Sequence, residues 1–130
     1  MIVNQVSGAI GAIIKDVHLD KNLHENTISK IYDVFLKYQA IFFKNQKLTP
    51  ESLIFFAKKI GSPISYPFVK GLDSFPEITP ILKKETDINN FGGIWNSDTT
   101  YQNEPPKCTM LYALEAVSYT HLTLPTTRCV

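Results

Sequence analysis

The chain has 130 residues, 44% hydrophobic and 19% charged, which fits one soluble globular domain with a buried core and argues against disorder. Lys plus Arg number 13 against 12 Asp plus Glu, with no long block of either sign, so neither a nucleic-acid footprint nor a polybasic membrane patch is indicated. Two cysteines, Cys108 and Cys129, are too few for a disulfide framework or a zinc site, as a reducing cytoplasm would permit; a lone buried Cys108 is expected.

Residues 8–14 are apolar but lack a cationic leader and are too short to span a bilayer, so no signal peptide or transmembrane helix is expected and the cytoplasm is the default location. Small and β-branched residues over 9–17 predict a strand with a glycine-assisted turn, and residues 19–26 a polar connection. Ile28, Ile31, Tyr32 and Phe35 recur at helical spacing, predicting a helix from Asn26 or Thr27, either able to cap it, to Lys37. The run Ala40, Ile41, Phe42, Phe43 predicts a short strand buried on both faces. Thr49 then stands where an N-cap oxygen is wanted, Pro50 supplies first-turn geometry, Leu53, Phe56, Ala57 and Ile60 make the buried stripe, and Gly61 ends the helix.

Residues 61–80 carry four prolines and two glycines and read as a loop, with residues 78–82 the best strand candidate. Phe91, Gly92 and Gly93 lead into Trp95; the glycines fit either close approach of a ligand or backbone, or a hairpin turn. After Pro105 and Pro106, residues 108–115 return to strand-like composition. Short strands with two early helices make a mixed sheet with helices packed on one side, an α+β or helix-flanked β-sandwich arrangement. Residues 117–130 are threonine-rich and break the pattern without a linker. They resemble a sequencing adapter read as protein, which divides the chain into 1–116 and a non-native tail of 117–130; the competing reading is a genuine edge strand.

Few histidines are available for chemistry. His18 and His24 have no Cys, Asp or Glu at metal-ligand spacing and read as surface residues, and His121 falls in the tail. No Cys-x-x-Cys, Gly-x-Ser-x-Gly or glycine-rich phosphate loop occurs, which removes support from the nucleophile and nucleotide classes. The run from Trp95 to Tyr101 looks like an iron-binding His-x-Asp motif with Asn96 in the histidine position and Asp98 in the carboxylate position. Without a wider pattern, Asp98 would read as an Asx-type turn cap beside Thr99 or Thr100.

The wider pattern is a resemblance. Gly11 to Leu19, Ala40 to Pro50 with its Leu-Thr-Pro, Phe56 to Gly61, and Trp95 to Tyr101 with Glu104, Pro105, Pro106 and Met110 to Ala113 resemble, in order, segments of the taurine dioxygenase (TauD/TfdA) family of iron(II)- and 2-oxoglutarate-dependent oxygenases. The resemblance covers residues 9–115 and corresponds to less than half of a typical member. It implies a partial double-stranded β-helix, or jelly roll, with two flanking N-terminal helices, and an oxidoreductase that hydroxylates a small organic substrate while converting 2-oxoglutarate and O₂ to succinate and CO₂.

Carried over residue by residue, Asp98 is the carboxylate ligand of Fe(II) and Asn96 stands where the first histidine ligand belongs. The second histidine, the arginine for 2-oxoglutarate and its assisting threonine lie beyond this chain in the family, so no cofactor-binding or catalytic residue is assigned and the chain alone is expected to be inactive. Histidine and asparagine codons differ by one base, so Asn96 reflects a sequence error or disabling change, or else a non-catalytic relative that binds a small molecule or acts as an interaction protein. Tyr66 falls where taurine-specific members carry a substrate-binding histidine, an argument against taurine itself; alternatively Tyr66 and Phe68 only pack over the sheet. The expected partner is a small-molecule substrate, with no nucleic acid or membrane and homo-oligomer formation left open.

Overall fold

The computed structural model describes residues 1–20, 22–66, 68–82 and 101–115. Strands β1 (Ile2–Gln5), β2 (Ala12–Lys15) and β3 (Ile41–Phe43) form one sheet in the order β1-β2-β3, with helix α1 (Glu25–Tyr38) between β2 and β3 and helix α2 (Pro50–Ile60) after β3. β1 is antiparallel to β2, with Val3 opposite Ile14, and β2 is parallel to β3, with Ala12, Ile13 and Ile14 opposite Ile41, Phe42 and Phe43. A parallel pair needs a long crossover, and α1 supplies it. The expected α+β arrangement, a sheet with two early helices, is what forms.

Of the predicted first strand, residues 9–17, residues 12–15 form strand β2, the second strand of a hairpin with β1. Gly11, at φ 102°, is the reason the chain can turn there: its N–H donates to Tyr38 O at 3.0 Å and its carbonyl accepts from Val6 N at 2.9 Å, so the turn is tied to the end of α1. β1 itself carries no apolar alternation, since Asn4 and Gln5 interrupt it, and it exists because β2 offers a ladder.

Helix α1 starts earlier than its stripe suggests. The N-cap is His24, in extended backbone and without a side-chain cap; its carbonyl accepts from Thr27 N and Ile28 N at 2.9 and 3.1 Å. Asn26 and Thr27, the expected caps, lie inside the first turn, where Glu25 complements the helix dipole. Helix α2 starts as its sequence demands, with the Thr49 hydroxyl accepting from Ser52 N at 3.3 Å and Pro50 at the first position.

Alternation in β2 and β3 divides the sheet faces. Ala12, Ile14, Ile41 and Phe43 face the helices, and the core is Ile14, Val17, Leu19, Ile31 and Phe56, joined by half-buried Val34, Leu48, Ile60 and Met110. Phe43 meets Phe56 edge-on at 6.0 Å between ring centres. β3 is not buried on both faces: Phe42, on the face away from the helices, is 53% exposed, because no described residue forms a second layer there. Lys59 and Glu25 form an ion pair that joins the two helices at the surface.

Two further expectations fail, since neither segment pairs with a strand among the described residues. Residues 78–82 form no strand; instead a turn is closed by Leu72 N to Ile78 O and Phe75 N to Leu72 O, both near 3 Å. Gly71 sits against Pro76 so closely that an added Cβ would lie 2.1 Å from its carbonyl oxygen. Residues 108–115 are likewise not a strand, and Cys108 is a half-buried free thiol rather than a buried one.

That last segment is nonetheless fastened to the core. Lys107 Nζ donates to the Tyr32 hydroxyl at 2.7 Å and lies 4.8 Å from the centre of the same ring, Met110 packs on the core, and Tyr112 reaches the β3–α2 connection. The Tyr112 hydroxyl donates to Gln46 O at 3.2 Å and accepts from Leu48 N at 3.1 Å. Tyr112→Phe removes both bonds, and we expect a loss of about 1–2 kcal/mol. Urea unfolding measures the loss, and faster amide exchange at Leu48 should accompany it. Thr49→Ala should cost about 1 kcal/mol in the same assay through loss of the α2 cap.

Candidate functional site

Asn96 and Asp98, the two positions of the altered His-x-Asp motif, lie outside the described residues, as do the rest of residues 83–100 and the tail from 116. The chain resumes at Tyr101, which is 63% exposed. Among the described residues no group of three or more His, Cys, Asp or Glu side chains could hold a metal ion. His18 and His24 are both exposed, as a surface role predicts. The expected tail boundary near residue 116 also falls outside the described residues.

Donor chemistry is therefore read from residue type. Asp98 offers a carboxylate and Asn96 a neutral amide oxygen, a hard and weak donor suited to calcium or magnesium more than to iron(II). One carboxylate and one amide do not make the two-imidazole, one-carboxylate set that holds non-haem iron. The donors present do not fit the metal.

What the described residues do build is a hollow of about 440 Å³ at the C-terminal ends of the parallel strands, lined by residues 14–18 and 44–46. Both strands leave the sheet through a left-handed residue, Asp16 and Asn45, each at φ 57°, a conformation that short polar side chains tolerate. Gln46 then extends the pairing with its side chain. Its Oε1 accepts from Leu19 N at 3.0 Å, and its Nε2 donates to Val17 O at 2.9 Å and Lys44 O at 3.0 Å. An amide side chain thus replaces the missing backbone ladder, with both its donor and acceptor ends satisfied. Neither Gln46 nor Tyr112 stood out in the sequence as a functional residue; a polar residue between an apolar strand and a helix cap was the only local signal for Gln46.

Tyr66 lies in the connection after α2, 41% exposed, with its ring edge-on to Phe68 at 5.7 Å. Phe68 is 70% exposed. The two rings pack against each other. No helix among the described residues is long and apolar enough to cross a membrane.

This strand–helix–strand–helix frame has relatives. An alkylsulfatase from Acinetobacter baylyi is 29% identical over 113 residues, 86% of this chain and 35% of the relative. An alpha-ketoglutarate-dependent sulfate ester dioxygenase from Pseudomonas putida is 30% identical over 115 residues, 88% of this chain and 37% of the relative. The chain thus spans little more than a third of the curated relatives it matches. The solved structure of a taurine dioxygenase from Burkholderia xenovorans shares 28% identity and superposes with a TM-score of 0.54 over 58% of this chain and 27% of that one. The family model for the taurine catabolism dioxygenase TauD, TfdA family matches residues 3–119, and the chain belongs to that family of 2-oxoglutarate-dependent dioxygenases.

Proposed function

We propose that this chain is the N-terminal part of an iron(II)- and 2-oxoglutarate-dependent dioxygenase that hydroxylates a small sulfate ester. The observation that carries the reading is the family match over residues 3–119, which places the chain among dioxygenases while it spans only 35% and 37% of two curated relatives. Sulfate esters are favoured because the Pseudomonas putida relative acts on them and because Tyr66 replaces the histidine of taurine-specific members. In the whole enzyme we assign the partial jelly roll expected from the sequence to this chain, Asp98 to the carboxylate ligand position and Tyr66 to the substrate pocket.

The chain alone does not turn over. Asp98 with Asn96 supplies one good iron ligand, and a single carboxylate does not hold iron(II) against water or a chelator. We take Asn96 to be an alteration of the histidine position in an enzyme, because Asp98 and its sequence surroundings are kept. The second reading, a non-catalytic binding or interaction protein on the same scaffold, rests on Asn96 itself.

Joining the chain to the C-terminal part of the Pseudomonas putida relative and changing Asn96→His separates the two. The enzyme reading predicts iron(II) binding by anaerobic calorimetry and succinate formation dependent on a sulfate ester, both absent with Asn96. No iron binding after the change would sink it. In the same joined protein, Tyr66→Ala should raise KM several-fold with little change in kcat, since a contact made equally in ground and transition states affects binding alone.

A further inference from the structure

The hollow at the ends of β2 and β3 gathers positive charge beside apolar surface. Its buried lining is Ile14 and Val17, and its exposed lining includes Lys15, His18 and Lys44. Strand register brings the two lysines together. Ile14 stands opposite Phe43, so Lys15 and Lys44 are the next pair, where the parallel strands part at Asp16 and Asn45. Neighbouring ammonium groups repel, so this pair weakens the ladder it ends. Asp16, the one carboxylate of the lining, forms no ion pair with either lysine.

The two lysine-bearing strand ends are also held in place. Gln46 donates to Val17 O and Lys44 O and accepts from Leu19 N, which fixes their separation and forms the hollow before any ligand arrives. Its side-chain amide is spent on those bonds, leaving Lys15, Lys44, His18 and Asn45 as the side-chain donors of the lining.

We propose that this hollow binds a small phosphate monoester. A doubly charged phosphate matches the two ammonium groups and relieves their repulsion, and a concave site rich in one sign of charge concentrates its counter-ion. Space argues for the organic part. A volume of about 440 Å³ is that of a small-molecule pocket, far more than an inorganic ion fills, and Ile14 and Val17 supply apolar contact. The proposal rests on the ends of β2 and β3 and not on dioxygenase activity, so its test reads binding.

Phenyl phosphate is titrated into the 130-residue chain at about pH 8, where it carries two charges, and amide shifts are followed by NMR. Shifts are expected at residues 14–18 and 44–46, with a Kd of about 1 mM or tighter. Phenyl sulfate, of similar shape but one charge, should bind at least about threefold more weakly. The double change K15E/K44E should weaken phenyl phosphate binding by about tenfold or more, and K15Q/K44Q, which removes the charges without reversing them, should weaken it too. Lys30→Glu, at an exposed α1 position outside the lining, should leave it unchanged. Far-UV circular dichroism checks that each variant folds. Phenyl phosphate should also raise the Tm of the unsubstituted chain and not that of K15Q/K44Q. No binding at about 10 mM, shifts confined to other residues, equal affinity for phenyl sulfate, undiminished binding by either folded double variant, or equal loss in Lys30→Glu would each overturn the proposal.

Discussion

The side-chain amide of Gln46 holds the two halves of the described fold together. The β2–β3 ladder stops after Ile14 and Phe43, because Asp16 and Asn45 turn into the left-handed region. Beyond that point the strands would separate. Gln46 bonds Val17 and Leu19 through its amide and receives Tyr112 on its own carbonyl, so one residue links the N-terminal hairpin, the start of α2 and the 101–115 segment. Val17 and Leu19 are core residues, and their burial depends on that link being satisfied.

Around this node the core is small and one-sided. Two helices cover one face of three short strands, and Ile14, Ile31 and Phe56 are its centre. Phe42 on the other face and the leucines at 111 and 114 remain in water. A short chain buries a smaller fraction of its surface than a large domain, so a core this small leaves large apolar side chains exposed.

Family membership argues for dioxygenase chemistry, while Asn96, which we propose stands in the histidine ligand position, carries an amide where iron(II) prefers an imidazole. The aromatic pair Tyr66 and Phe68 stands exposed after α2, ring against ring.

Local chemistry made the helices legible. Thr49 and Pro50 start α2 by interactions within one turn, and the stripes of Ile28 and Ile31 and of Phe56 point inward at helical spacing. The family could also be read from ordered motifs alone, because those motifs are carried by residue identity. Pairing could not be read in this way. Residues 2–5 have little strand character yet pair with β2, whereas residues 108–113 have full strand character yet pair with no described residue. Ala40 to Phe43 looked doubly buried, but burial on the second face needs a layer that no described residue supplies. Residue type and spacing determined helices, caps and ancestry, since those depend on neighbours within a turn; ladders, exposed faces and the Gln46 link were decided by tertiary structure, since each needs a partner far along the chain.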